Sequence, residues 1–106
     1  MKTESLDLLP MDVLEEAAGC LKIMAHPVRL RMVDLLMQGD WRVQDLAERC
    51  DVQPHQACEH LRLMKGCGLL GSERRGREVY YCILNPQLPA LLECIRRNCA
   101  GTKRKK

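Results

Sequence analysis

The hydrophobic positions of this chain fall into five stretches of helical spacing and one stretch of strict alternation. From Pro10 to Ala25, the residues Leu14, Ala17, Ala18, Leu21 and Ala25 recur on one helical face. Glu15 and Glu16 lie near its start, where the helix dipole favours anions. Gly19 sits inside this helix at a cost of about 1 kcal/mol relative to alanine. Close approach of another helix would explain it, and so would an unoptimised position. His26-Pro27 interrupts the pattern. Val28 to Met37 forms a second helix, and Gln38-Gly39-Asp40 stops it. Trp41-Arg42 reads as a short extended bridge.

The stretch Val43–Leu70 follows. Val43, Leu46 and Ala47 put an apolar stripe on a short helix, and Asp51-Val52-Gln53 breaks the period. Pro54 suits the first position of a new helix, where its missing N–H is not needed. Ala57, Leu61 and Met64 repeat along that helix, and Gly66 and Gly68 close it. The pair has the size of a helix-turn-helix, whose second helix can enter a DNA major groove. A generic helical hairpin gives the same pattern.

After Leu70 the period changes to two. Leu70–Arg75 and Glu78–Leu84 flank a turn centred on Gly76, which predicts a β-hairpin. Val79, Tyr81 and Ile83 take one face; Tyr80, Cys82 and Leu84 take the other. Arg74, Arg75 and Arg77 crowd the tip. An exposed tip is commonly charged. Next to a two-helix unit, however, an arginine-tipped hairpin makes a winged helix-turn-helix that can reach phosphates or a minor groove. Asn85-Pro86 then starts a last helix with Leu88, Leu91, Leu92 and Ile95 as its stripe. The predicted fold is mainly α with one hairpin, in the order α-α-α-α-β-β-α. Residues 1–10 form a flexible lead, 11–99 the domain and 100–106 a basic disordered tail.

Composition narrows this picture. Within 106 residues, 46% are hydrophobic but only 3% are aromatic, with no Phe. The core must therefore come from Leu, Met, Val, Ile and Ala, which favours helix packing. A core this small gains from dimerisation. The net charge of +3 says little, but its distribution says more. Residues 1–16 hold one base and five acids, whereas residues 96–106 hold six bases and no acid. A cationic end suits an anionic partner, and a solvated tail gives the same run. Seven cysteines without a Cys-x-x-Cys, and no signal peptide or spanning stretch, suggest a cytoplasmic protein with reduced thiols.

Three motifs carry a family resemblance. Leu21-Lys22-Ile23-Met24-Ala25-His26-Pro27-Val28-Arg29-Leu30-Arg31 resembles the opening signature of the ArsR/SmtB family. So do Gln53-Pro54 with Glu59-His60-Leu61, and Gly68-Leu69-Leu70 with Arg75-Gly76-Arg77-Glu78-Val79-Tyr80-Tyr81. The resemblance implies a homodimeric bacterial repressor that binds a palindromic operator on double-stranded DNA and releases it when an inducer binds. It also implies that the first and last helices form the dimer interface.

With Ala57, Leu61 and Met64 facing inward, about 100° per residue turns His55, Glu59 and Arg62 outward and Gln56 to the side. Gln53, His55, Gln56 and Glu59 are the expected base or phosphate contacts. Arg62 and the tip arginines Arg74, Arg75 and Arg77 are expected on phosphate. His60 lies nearer the buried stripe. Two positions depart from the family pattern. Cys58 stands where a small hydroxyl residue is common, and Glu59 replaces a neutral or basic side chain. Glu59 either accepts from cytosine N4 or pairs with Arg62.

The family's sensing sites transfer only where residues match. The third helix starts Trp41-Arg42-Val43-Gln44-Asp45, without the family's paired cysteines, and the last helix lacks the histidines of its zinc site. A reactive-sulfur group pairs a second-helix cysteine with one near the end of the last helix. Cys99 matches the latter, but Asp34 stands in the former place. Cys50 and Cys67 read as packing residues, Cys82 has no thiol partner in view, and Cys58 faces toward DNA.

Cys20, Cys94 and Cys99 remain, on the helices expected at the dimer interface. Three thiolates there suit a thiophilic inducer such as As(III), Sb(III) or a heavy metal, with no obligatory cofactor. Soft packing residues or a disulfide redox switch are the alternatives. Cys94 and Cys99 lie about 140° apart on an ideal α-helix, so their convergence needs a break in it. A winged-helix module that binds protein rather than DNA is the competing class. Catalysis is not expected: Cys58 and His60 point apart, and neither a phosphate-cradling loop nor a carboxylate pair appears.

Overall fold

A computed structural model describes residues 6–100. Its elements are α1 (Met11–Met24), α2 (Pro27–Leu36), α3 (Val43–Cys50), α4 (Pro54–Gly66), β1 (Leu70–Arg75), β2 (Glu78–Ile83) and α5 (Gln87–Ile95). A π-helical turn, Arg96–Ala100, extends α5. The expected order of five helices and one antiparallel hairpin is therefore the observed one. The ends of the chain, residues 1–5 and 101–106, lie outside the described residues, so the expected tail falls there apart from Ala100. Residues 6–10 are exposed and form no helix or strand.

Met32 and Val33 of α2 lie at the centre of the core. Around them pack Leu46 and Ala47 of α3, Ala57, Leu61 and Met64 of α4, Leu69, Leu70, and Leu88 and Leu92 of α5. No aromatic ring is among the fully buried side chains. Trp41 packs at the core's edge, where its indole N–H donates to the Leu35 carbonyl at 2.8 Å.

Three local readings change. His26 is not merely an interruption but the N-cap of α2. Its Nδ1 accepts from the Val28 N–H at 3.1 Å, and Pro27 takes the first helical position. The helix α1 turns Cys20, Ile23 and Met24 to the core and leaves Leu14, Ala17, Ala18, Leu21 and Ala25 exposed. Among the described residues nothing buries this stripe, although Ala17 and Leu21 line a groove that faces Leu88 and Leu91. A Cβ built on Gly19 meets nothing within 4 Å among the described residues, so no close helix approach within the chain explains that glycine. At the other end, Asn85 Oδ1 accepts from the Gln87 N–H at 2.8 Å and opens α5. The Asp34 carboxylate on α2 accepts from Arg96 at 2.6 Å and anchors the end of the last helix. Among the described residues no helix is long and apolar enough to cross a membrane.

Candidate nucleic-acid interface

Both helices of the α3–α4 pair end in the same backbone device. After α3, the Asp51 N–H donates to Glu48 O at 3.2 Å and the Val52 N–H to Ala47 O at 3.0 Å. After α4, the Gly68 N–H donates to Lys65 O and the Leu69 N–H to Met64 O, both at 3.0 Å. These are Schellman closures, which place one residue in the left-handed region. Gly68 does so at φ 80° without penalty, and Asp51 does so at φ 57° with a side chain attached. The apolar residue after each reversal, Val52 or Leu69, tucks back onto the core. The first closure fixes the turn between α3 and α4, and the second fixes the exit of α4 toward β1.

On α4, Ala57, Leu61 and Met64 are fully buried, whereas His55, Gln56, Glu59 and Arg62 are exposed, as is Gln53 before the helix. All five residues expected to meet DNA from this segment are thus exposed to solvent. Gln56 also has a local duty: its side-chain oxygen accepts from the Gln53 N–H at 2.9 Å and caps the helix start. Arg62 and Glu59 form no ion pair with each other among the described residues, so that reading of Glu59 drops out.

The hairpin pairs in the register Leu70↔Ile83 to Arg75↔Glu78, with Gly76 (φ 65°) and Arg77 as a two-residue turn. Arg42, just before α3, bridges to Tyr80 and ties the hairpin to the helix pair. The three tip arginines are not equivalent. Arg74 and Arg77 are exposed and form no ion pair among the described residues. Arg75 reaches Asp40 at 3.1 Å and Glu73 at 3.2 Å, and its guanidinium lies over the Tyr80 ring at 4.3 Å. Glu73 and then Asp40 hold it cationic even more firmly than usual. Arg75 is a strut of the wing as well as a charge at its tip. The signal for this was the Glu73/Arg75 pair at strand spacing, but nothing local pointed to Asp40.

Periodicity also missed a contact behind α4. His60 Nδ1 accepts from Arg29 Nε at 3.1 Å, and its ring lies 4.6 Å from that of His26. Burial, then His26 and Arg29, holds the His60 imidazole below its ordinary value. His60 therefore packs inward. Nearby, burial pushes the Tyr81 hydroxyl up, with Cys58 adding to the shift and Arg62 opposing it.

The thiols are dispersed. Cys20 is half-buried and lines an open groove of about 460 Å³ between α1 and the start of α5. Cys94 and Cys99 are exposed and do not line that groove. Cys99 lies in the π turn, so the 140° separation of an ideal α-helix does not hold between it and Cys94. The Asn98 amide caps this region, donating to the Cys94 carbonyl at 2.8 Å. Among the described residues, no three His, Cys, Asp or Glu side chains of one chain come together to hold a metal ion. Cys20, Cys94 and Cys99 thus do not form a site within a single chain.

No family model matches the chain. Individual relatives do. It is 32% identical over 83 residues to the transcriptional repressor PagR of Bacillus anthracis, spanning 77% of this chain and 83% of that protein. The solved PagR structure superposes with a TM-score of 0.70 over 81% of this chain and 99% of that one. The transcriptional repressor SmtB of Mycobacterium tuberculosis is 32% identical over 79 residues, covering 74% of this chain and 58% of its own length. The antimony-specific repressor AntR shares 24% identity and the fold, with a TM-score of 0.83 over 94% of this chain and 91% of that one. These relatives are transcription regulators rather than enzymes. With the motifs, the helix pair and the wing all in place, the chain belongs to the ArsR/SmtB family of winged helix-turn-helix transcriptional repressors.

Proposed function

We propose that this chain represses transcription as a homodimer on a palindromic DNA operator and lets go when a thiophilic inducer binds its cysteines. The observation that carries the DNA reading is the two-sidedness of α4. Ala57, Leu61 and Met64 are fully buried, while His55, Gln56, Glu59 and Arg62 are presented to solvent, as are Arg74 and Arg77 of the wing, which form no ion pair among the described residues. In this reading the first turns of α4 meet base edges. Glu59 accepts from cytosine N4, and Arg62, Arg74 and Arg77 lie on phosphates. Arg75 reaches phosphate only by exchanging one carboxylate partner for it. The exposed apolar face of α1 is the natural seat of the second subunit, which sets the two α4 helices one DNA turn apart, about 34 Å.

The inducer reading rests on the chemistry of the thiols and on their elements. Cys20 lies on α1, and Cys94 and Cys99 lie on and just after α5. Since one chain does not assemble three ligands, ligation of As(III), Sb(III) or a heavy metal joins subunits, and the strain shifts α4 against α4. The Asp34–Arg96 ion pair occupies the place where a second-helix cysteine would serve a reactive-sulfur switch.

Duplexes selected by the protein from a randomised pool supply the probe. Arg74→Glu with Arg77→Glu should abolish their binding; unchanged binding would remove the wing arginines from the DNA contact, and failure to select any duplex would favour a protein partner. Arsenite, cadmium, zinc and a persulfide donor are then titrated against the complex with wild type and with Cys20→Ser, Cys94→Ser and Cys99→Ser. Arsenite or cadmium should release wild type and not the variants. Release by the persulfide donor alone would mean a redox switch, and equal release of all three variants would overturn the thiol assignment.

A further inference from the structure

The contact behind α4 does more than fill space. Arg29 lies at the start of α2 and makes two hydrogen bonds in opposite directions. Its Nη1 donates to the Ile23 carbonyl at the end of α1, at 2.9 Å. Its Nε donates to His60 Nδ1 on α4, at 3.1 Å. One guanidinium therefore joins the last turn of α1 to the middle of α4. His26, the cap of α2, completes the cluster. Its Nδ1 accepts from Val28, and its ring meets His60 at 4.6 Å with the planes inclined by 57°.

Both imidazoles accept here through Nδ1, and each of these hydrogen bonds requires that Nδ1 carry no proton. Arg29 can only donate. The charged and titratable groups facing His60 are Arg29 and His26 from the α1–α2 corner and Glu59 from α4 itself. A proton on His60 Nδ1 sets donor against donor at Arg29. A proton on His26 Nδ1 removes the α2 cap and places a second cation 4.6 Å from the His60 ring. Only Glu59 favours the protonated state, and it is exposed.

We propose that Arg29, His60 and His26 are positioning residues that fix α4 against the α1–α2 corner while the imidazoles are neutral, and that acidification releases α4 and weakens operator binding. The DNA half of this proposal rests on the function proposed above. The remaining histidine, His55, is exposed at the start of α4 and is unchanged in every variant below, so it contributes equally to all of them.

Two readouts separate the halves. The first needs no DNA. Amide hydrogen exchange of α4, corrected for intrinsic rates, is compared between about pH 8 and about pH 5.5. Wild type should lose protection by roughly tenfold. The double variant His26→Asn/His60→Asn should not, because asparagine Oδ1 replaces the Nδ1 acceptor and does not titrate. His60→Leu keeps the volume, loses the acceptor and should be poorly protected at both pH values. The second readout is affinity for a duplex selected by wild type near pH 8. It should fall by roughly tenfold in acid for wild type, stay level for the double variant and be low throughout for His60→Leu.

Equal acid sensitivity in the double variant, or wild-type behaviour of His60→Leu, would overturn the positioning role. Altered exchange with unaltered DNA affinity would overturn the link to DNA binding. Failure to select any duplex would overturn the DNA-binding reading, and exchange would still decide the positioning role.

Discussion

Leu61 shows how sharply side chains on α4 divide their work. It is fully buried, and its neighbour Arg62 is exposed. Leu61→Ala should destabilise the fold by about 2–5 kcal/mol through lost transfer energy and an unfilled cavity. Arg62→Ala should leave stability within about 0.5 kcal/mol and reduce the salt slope of DNA binding by about 1. Urea denaturation and anisotropy at several salt concentrations read the two effects separately. The thiols divide in the same way. Burial pushes the Cys50 thiol up, with Arg31 opposing, whereas Cys67, Cys82, Cys94 and Cys99 are exposed. Iodoacetamide at mildly alkaline pH should alkylate Cys50 after those four, as peptide mass mapping would show. His60 carries a pH dependence of stability. Its folded value lies below the ordinary 6.5 because burial, His26 and Arg29 oppose the charge. The neutral form is thus the one that folding favours. Its contribution is complete above the unfolded value and is lost as pH falls through the lower folded one. Thermal midpoints should drop from pH 7 toward pH 5, and less so in His60→Asn.

At the level of elements, the turn between α3 and α4 depends on Asp51 at φ 57°. Asp51→Val should cost about 1–2 kcal/mol, since a branched Cβ fits the left-handed region poorly. Asp51→Gly should stay within about 0.5 kcal/mol, relief of strain offsetting the entropy of a freer unfolded chain. Urea midpoints of the two variants check this. The same turn shows what a sequence can reveal. Asp51-Val52-Gln53 and Pro54 announced a break and a restart, because capping and proline rules act within a few residues. The stripe of Ala57, Leu61 and Met64 was legible for the same reason, and so was the hairpin around Gly76. The links at Asp40–Arg75, Arg29–His60 and Asp34–Arg96 were not. Each joins residues 31 or more positions apart, and hydrophobic periodicity says which face turns inward but not which partner it meets. Cys20, Cys94 and Cys99 were found as thiols on two helices. Their relative placement depended on a π turn that an ideal α-helical wheel does not contain.

The whole chain leaves an apolar surface that its own core does not use. Leu8 is 77% exposed, Met11 67% and Leu21 57%, and Leu6, Leu9, Val13 and Leu14 are exposed as well. Scattered apolar residues need no explanation, but these lie on one helix and the segment leading into it. Because α1 gives its own core only Met24 as a fully buried side chain, a charge on its outer face should not unfold the subunit. Leu14→Glu with Leu21→Glu should therefore leave the circular dichroism spectrum unchanged. In sedimentation the variant should run as a monomer at concentrations where wild type is a dimer, because two copies of a buried glutamate would face a closed interface. DNA binding should fail with it, although every residue proposed to touch DNA is intact. Each subunit alone presents one α4 and one wing, and the free energy of a second half-site is gained only if the two are linked. Joining two such subunits by a flexible peptide would restore proximity but not orientation, so affinity should recover only in part. Full recovery would mean that α1 supplies tethering alone. No recovery, with the fold intact, would mean that the α1 face sets the angle between the two reading helices.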